Sequence, residues 1–191
     1  PLVFTTDDNF LRHLPTVLNS IEKHHKDKRD SIIFRVYVLL RNVARHGARA
    51  RAIRSKIFHN LTMFELIFIE QKQNYVYNNN LKHITVSCLD RLAIPEIVPE
   101  DLVLYMDLDV LCLGDITGAF LEPTGTTGIA AKFSHRNDVI KNWLKTVETA
   151  PFEYPHPRSI NAGVMLMDIK KLKGARFTQR TLEMSQRYGI N

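Results

Sequence analysis

LVLYMDLDV, residues 102–110, is the stretch of this sequence that decides the fold. Its first five residues, Leu102 to Met106, form a continuous apolar run, which is typical of a strand buried on both faces of a parallel sheet. Two carboxylates, Asp107 and Asp109, follow the run. Because an unpaired charge is costly to bury, they indicate a polar site at the end of the strand.

The spacing of Asp107 and Asp109 predicts a metal site. Side chains of an extended chain alternate with a period of two, so both carboxylates are expected to face the crevice beyond the strand end. Carboxylate oxygens suit a hard cation such as Mn²⁺ or Mg²⁺, which keeps positions for phosphate and water. A bare Asp-x-Asp is a weak motif, and the alternative interpretation is the beginning of a loop.

Strand and helix patterns alternate on the amino-terminal side of this stretch. The predicted elements are a strand at Leu2 to Thr6, a helix carrying Leu11, Leu14, Val17, Leu18 and Ile21, a strand at Ile32 to Leu40, a basic helix to about Asn60, a strand at Glu65 to Glu70 and a helix at Ile84 to Ile97. This order predicts an α/β fold with a mostly parallel, twisted central sheet flanked by helices. The length of 191 residues favours a single domain over residues 1–191.

Composition narrows the classes of partner. The net charge of +6 favours an anionic partner, which leaves a nucleotide diphosphate, a nucleic acid and an acidic membrane surface open. Two cysteines, Cys88 and Cys112, are too few for a disulfide scaffold and favour buried free thiols. The chain has no apolar run of 18 residues and its first residues lack the basic flank of a signal peptide, so we expect a soluble, cytoplasmic domain.

Basic and histidine-containing segments give weaker signals. A solvated helix face is the favoured interpretation of the arginines, ahead of a contact with a substrate or a membrane surface and of nucleic-acid binding, because their spacing scatters around the helix. These arginines are Arg41, Arg45, Arg49, Arg51 and Arg54. We interpret His24, His25, His46, His59, His135 and His156 as surface residues, since they lack the paired spacing of zinc ligands. Residues 154–157 (YPHP) are expected to form a stiff loop that contributes to the wall of a substrate site, before the strand at Asn161.

Three segments, in order, resemble glycosyltransferase family 8, the retaining, GT-A-fold group that includes glycogenin and bacterial lipooligosaccharide galactosyltransferases. They are VFTTDDNF at residues 3–10, the stretch from HIT at residues 83–85 through DRL at residues 90–92 into LYMDLDV at residues 104–110, and INAGVMLMD at residues 160–168. Together they span residues 3–168, and their joint occurrence is specific although each alone is not. The resemblance implies a GT-A-type nucleotide-binding fold.

The resemblance also implies roles for individual residues. Thr5, Thr6, Asp7 and Phe10 would border the uridine, while His83, Ile84 and Leu108 would contact the donor. Arg91 would neutralise the diphosphate or contact the donor sugar; the alternative is a surface ion pair with Asp90 or Glu96. Asn161 and Ala162 would line the donor-sugar pocket, the alternative being a core strand with a glycine bulge. Asp107, Asp109 and Asn161 are the expected catalytic residues.

The activity implied by the resemblance is metal-dependent transfer of a hexose or related sugar from a UDP-sugar, with retention, to a hydroxyl of a glycan, lipid-linked or protein acceptor. No obvious nucleophile is present, which favours a same-face mechanism. The sequence stops at Gly189-Ile190-Asn191, where the family's Asp-Gln pair and then His-x-x-Gly-x-x-Lys are expected. We therefore expect a catalytic domain lacking the C-terminal segment; the alternatives are a catalytically weak nucleotide-sugar-binding module and, third, a nucleic-acid-binding protein. Lys132 replaces an acid common in relatives, so acceptor choice is expected to differ.

Overall fold

One six-stranded sheet forms the centre of the computed structural model, which describes residues 1–7, 9–28, 31–41, 63–72, 86–134 and 159–188. The strands are Leu2–Thr6 (β1), Phe34–Leu40 (β2), Phe64–Glu70 (β3), Leu102–Met106 (β4), Ile129–Phe133 (β5) and Ile160–Asp168 (β6). Their spatial order is β3-β2-β1-β4-β6-β5. Strands β1 to β4 pair in parallel, while β6 runs antiparallel to both β4 and β5. The prediction of an α/β fold with a mostly parallel sheet is confirmed.

A helix follows β1, as the apolar spacing predicts. The described α-helices are Leu14–Lys23 (α1), Ile94–Ile97 (α2), Ile169–Gly174 (α3) and Phe177–Tyr188 (α4), and 3₁₀ segments cover Leu11–His13, Lys26–Lys28, Val86–Ala93 and Thr117–Leu121. The predicted helix ending at Ile97 is therefore mostly 3₁₀ from Val86, and it stops before Pro99. The predicted basic helix and residues 154–157 lie outside the described residues.

Strand β4 is buried on both faces, as its apolar run predicts. Leu104 and Met106 pack on one face in a core that includes Leu14 and Leu18 of α1. Val103 and Tyr105 pack on the other face, in a core that includes Ile94. Because helices cover both faces, the polar residues that follow the strand are left at its end, where an open sheet leaves a crevice.

Of the positions predicted to lie at the surface, His25 is buried and Arg41 is partly buried. Arg41 follows β2, and its guanidinium donates to both carboxylate oxygens of Asp90, at 2.9 Å and 2.5 Å. The solvated-face interpretation is wrong for Arg41 because a fully buried carboxylate needs this partner. His25 lies beyond the end of α1, where its Nδ1 is 2.7 Å from the Ile21 carbonyl oxygen and its Nε2 is 2.9 Å from Asp115 Oδ1.

None of the helices in the described ranges is long and apolar enough to cross a membrane. The single domain over residues 1–191 and the cytoplasmic location stay predictions.

Candidate functional site

A cleft opens at the carboxyl ends of β1 and β4. Its walls come from the turn after β1, the Val86–Ala93 segment and the residues after β4. The lining residues are Thr5, Thr6, Phe10, Ser87, Cys88, Arg91, Asp107, Leu108 and Asp109. Seven of these nine are predicted site residues, and Ser87 and Cys88 are the two that the sequence reasoning missed.

Asp107 and Asp109 face this cleft, but the backbone between them is not the extended chain that the sequence predicted. Strand β4 ends at Met106, and Leu108 and Asp109 lie in a turn, so the alternation of an extended chain does not apply to them. Asp107 still continues the ladder, because its backbone N–H donates to the Gly163 carbonyl at 2.8 Å. Both carboxylates line the same cleft because the turn redirects the chain.

A buried tyrosine, Tyr105, donates a hydrogen bond to the carboxylate of Asp107 from the core side of the cleft. The Tyr105 hydroxyl donates a short hydrogen bond to Asp107 Oδ1. The same hydroxyl lies 3.1 Å from Thr5 Oγ1. Burial raises the pKa of Tyr105, so the phenol keeps its proton across the physiological range. Tyr105 stands two residues before Asp107, and this period of two was the sequence signal that could have found it.

Arg91 contacts three segments around the cleft: its own 3₁₀ segment, strand β6 and the end of β4. Its Nε donates to the Cys88 carbonyl and its Nη1 to the Ala162 carbonyl, both at 2.7 Å. Its Nη2 lies 3.4 Å from Asp107 Oδ1, and the guanidinium carbon stands 5.0 Å from the centre of the Tyr105 ring. The alternative ion pair with Asp90 is wrong, since the Asp90 carboxylate is bound by Arg41.

The Asn161 segment enters the site through β6. The Asn161 side chain is exposed, and its Oδ1 accepts the backbone N–H of Gly163 at 2.9 Å. Ala162 is half-buried and offers its carbonyl to Arg91. The β4–β6 register is continuous from Val164 to Asp168. The β5–β6 register shifts, because Ala131 pairs with Met165 and Phe133 with Ile160, so the additional residues lie on β6 in the stretch that contains Gly163, where the glycine-bulge alternative expects an irregularity.

Gly163 makes room for the carboxylate of Asp107. A Cβ at this position would lie 3.0 Å from Asp107 Oδ2 and 3.1 Å from Asn161 Oδ1. Such distances are shorter than carbon–oxygen van der Waals contact, so any larger residue would displace a polar group of the site. Glycine is needed here for close approach rather than for an unusual backbone angle.

Three other predicted site residues have different outcomes. Asp7 supports the turn after β1, where its Oδ1 accepts the backbone N–H groups of Asn9 and Phe10 at 2.9 Å and 3.0 Å. This contact fixes the course of the chain toward Phe10, whose side chain is 44% exposed in the cleft. His83 and Ile84 lie outside the described residues.

The two cysteines differ in burial. Both are free, as predicted, and Cys112 is buried. Cys88 is only partly buried and lines the cleft, so the prediction of a buried thiol is wrong for this residue. Cys88 belongs to the 3₁₀ segment that borders the cleft on one side. An apolar residue of this segment can therefore face the cleft instead of the core.

The cleft suits a hard divalent cation that retains water. Asp107 and Asp109 supply carboxylate oxygens, and in the described part of the chain no group of three or more His, Cys, Asp or Glu residues could hold a metal ion. Mg²⁺ and chemically similar cations bind through one or two carboxylates, with waters and substrate phosphates completing the shell. The residues present therefore fit such a cation together with a phosphate ligand.

A twisted sheet with two carboxylates and an arginine at the carboxyl ends of its central strands defines an open α/β protein with a ligand cleft at the strand ends. The chain belongs to glycosyltransferase family 8, whose family model, described as Glycosyl transferase family 8, matches residues 1–191.

Known proteins support the same fold. Glycosyltransferase GlyE of Streptococcus pneumoniae serotype 4 is 24% identical over 187 residues, which are 97% of this chain and 40% of GlyE. The crystal structure of galactosyltransferase LgtC in complex with donor and acceptor sugar analogs superposes with a TM-score of 0.75 at 24% identity, over 98% of this chain and 64% of LgtC. The apo structure of the bifunctional glycosyltransferase WbbM gives a TM-score of 0.69 at 17% identity, over 96% of this chain and 34% of WbbM. The chain thus spans less than two thirds of the length of each of these relatives.

Proposed function

We propose that this protein transfers a hexose or related sugar from a UDP-sugar to a hydroxyl acceptor, with retention of configuration and with the help of a divalent cation. One observation carries the proposal: Asp107, Asp109 and Arg91 line the same cleft at the carboxyl ends of β1 and β4. A nucleoside diphosphate carries the negative charge that a cation and a guanidinium would neutralise together.

The donor would lie along the cleft from the β1 turn toward β6. Thr5, Thr6 and Phe10 would border the uridine, with the exposed Phe10 side chain available to pack against the base. Arg91 would bind the diphosphate, since its fixed guanidinium already stands next to Asp107. Asn161 and Ala162 would line the sugar pocket, where the exposed Asn161 amide would bind sugar hydroxyls.

Asp107 and Asp109 would hold Mn²⁺ or Mg²⁺. When bound, such a cation supplies charge stabilisation for the departing diphosphate. The role of the protein is to orient the two carboxylates, to keep Arg91 in place and to present the donor sugar to the acceptor. The acceptor would be a glycan, lipid-linked or protein hydroxyl, deprotonated with the help of the leaving phosphate on the same face of the sugar.

A nucleotide-sugar-binding module with little transferase activity is the second candidate. The observation that favours it is that, among the described residues, no group of three or more His, Cys, Asp or Glu side chains could hold a metal ion. Both candidates predict donor binding, and only turnover separates them.

A calorimetric screen of UDP-, GDP- and dTDP-sugars, with and without Mn²⁺, tests the proposal. We expect a UDP-sugar to bind more tightly when Mn²⁺ is present, and donor hydrolysis or transfer to accompany binding. UDP binding that ignores the metal and never leads to turnover would favour the module. Affinity for nucleic acid that falls steeply with salt and is unchanged in Asp107→Ala would favour the third class.

The substitution Gly163→Ala is expected to weaken Mn²⁺-dependent UDP binding by about tenfold, because the new methyl group would push against Asp107 Oδ2 and Asn161 Oδ1. Titration calorimetry of UDP in the presence of Mn²⁺ measures the effect. Gly118→Ala is the matched control, since a Cβ there meets nothing within 4 Å. Equal affinities in the two variants would contradict the role assigned to the space at Gly163.

A further inference from the structure

Tyr105 places a hydroxyl under the cleft, in a core position where an apolar side chain would be expected. Its side chain is fully buried on the central strand β4. A buried hydroxyl that makes no hydrogen bond destabilises the fold. The partners of the Tyr105 hydroxyl therefore indicate what the residue does at this position.

The direction of the hydrogen bonds follows from the chemistry of the partners. An ionised carboxylate accepts only, so the Tyr105 hydroxyl donates its single proton to Asp107 Oδ1. The Thr5 hydroxyl, 3.1 Å away, must then donate to the Tyr105 oxygen. The result is a chain of two hydrogen bonds that runs from Thr5 through Tyr105 to Asp107.

This chain of hydrogen bonds fixes one oxygen of Asp107 to the protein. Oδ1 takes the Tyr105 bond and faces Arg91 Nη2 at 3.4 Å. Oδ2 lies on the side of Gly163, where the missing side chain leaves space. The two oxygens therefore have different surroundings, and the carboxylate is held in one rotation.

We propose that Tyr105 is a positioning residue for Asp107: its hydroxyl, supported by Thr5, holds the carboxylate in the orientation that binds a divalent cation. The inference rests on the cation site of the proposed function. Outer partners that orient a metal-binding carboxylate typically change metal affinity by about 10–100-fold when they are removed.

Tyr105→Phe isolates the hydroxyl from the ring. Phenylalanine keeps the aromatic ring under the Arg91 guanidinium and keeps the core filled, while it removes the bond to Asp107. Tyr37→Phe is the matched control. Tyr37 is also buried in the sheet, and its hydroxyl donates to Glu100 Oε1 at 2.8 Å, before the start of β4 and so at the end opposite Asp107.

The experiment measures the Kd of Mn²⁺ for the full chain saturated with UDP, from the electron paramagnetic resonance signal of free Mn²⁺. We expect Tyr105→Phe to raise this Kd by about tenfold or more and Tyr37→Phe to change it by less than about twofold. Thermal unfolding of both variants checks that each is folded at the temperature of the titration. Thr5→Val removes the bond that supports Tyr105 and is expected to raise the Kd by about threefold. Because Thr5 also borders the proposed uridine site, saturation of this variant with UDP is verified before the titration, and the variant serves as the test if Tyr105→Phe does not fold.

Each outcome decides one of the two claims. Wild-type protein that binds no Mn²⁺ with UDP overturns the proposed cation site itself. If the wild type binds Mn²⁺ and Tyr105→Phe binds it equally well, only the positioning role is overturned. Equal weakening in Tyr105→Phe and Tyr37→Phe also overturns it, because loss of any buried hydroxyl bond would then suffice.

Discussion

Asp107→Asn is expected to lower the rate of sugar transfer by about 10²–10³-fold, which corresponds to several kcal/mol of lost charge stabilisation in the transition state. Asparagine has the shape of aspartate and retains an oxygen that can accept the Tyr105 bond, so the sheet around β4 should stay intact. What disappears is the negative charge that would bind the cation. The measurement is kcat/KM for donor turnover with Mn²⁺, together with the Kd of Mn²⁺.

Asp101→Asn is the matched control for this prediction. Asp101 is exposed just before β4, at the end of the strand opposite Asp107, and the same chemical change there should leave turnover within about twofold. Turnover of Asp107→Asn at the wild-type rate would contradict the assignment of the metal site. A variant that loses both turnover and its cooperative thermal transition would instead assign Asp107 to stability.

Arg41→Ala is expected to lower the free energy of unfolding by about 3–5 kcal/mol, because it leaves the buried carboxylate of Asp90 without its partner. The Asp90 side chain is 0% exposed and that of Arg41 is 20% exposed, so water cannot replace the lost guanidinium. Asp90 immediately precedes Arg91 in the wall of the cleft. We therefore expect Arg41→Ala to weaken donor binding as well as to lower the stability. Urea unfolding followed by circular dichroism gives the free energy.

Two controls separate the buried pair from ion pairs in general. Arg35→Ala removes a guanidinium that is 48% exposed and contacts Glu65 and Glu100, and its expected cost is below about 1 kcal/mol. In the double variant Arg41→Ala with Asp90→Asn, the buried charge is gone as well, and we expect part of the stability to return. Equal costs for Arg35→Ala and Arg41→Ala would show that burial of Asp90 has no energetic consequence.

The pH dependence gives an independent check of the same pair. Burial raises the pKa of Asp90 to about 6, and Arg41 acts in the opposite direction. Because the folded protein holds this proton more tightly than the unfolded chain does, the contribution of Asp90 to stability is complete below about pH 4 and is lost as the pH rises through about 6. Removing Arg41 removes the influence that lowers the pKa, so the destabilisation in Arg41→Ala should be larger at about pH 7.5 than at about pH 5.

The sequence predicted the main strands and the first helix because these elements depend on local patterns. The apolar run of β4, the helical spacing that leads to α1 and the strand at β1 each follow from burial of one face or two faces of an element. Asp107 and Asp109 line one cleft for a related reason, since polar residues after a buried strand must lie at its end; their role in metal binding stays a prediction. The extended-chain argument for their orientation failed, because a turn begins at Leu108.

The contacts within the site could not be read from the sequence. Arg41 and Asp90 are 49 residues apart, and Thr5 and Tyr105 are 100 residues apart. Cys88 and Cys112 stand in similarly apolar stretches, yet one lines the cleft and the other is buried. Neighbours along the chain do not determine these partners.

By itself the sequence determined the strands β1 to β4, the position of charge after the central strand and the known family that the chain resembles, because periodicity and residue order are properties of the chain. Only the tertiary structure decided that Tyr105 holds Asp107, that Gly163 leaves it space and that Arg41 neutralises Asp90. The reason is physical: a buried polar group is stabilised by whichever partner the packing of distant elements brings within hydrogen-bond distance.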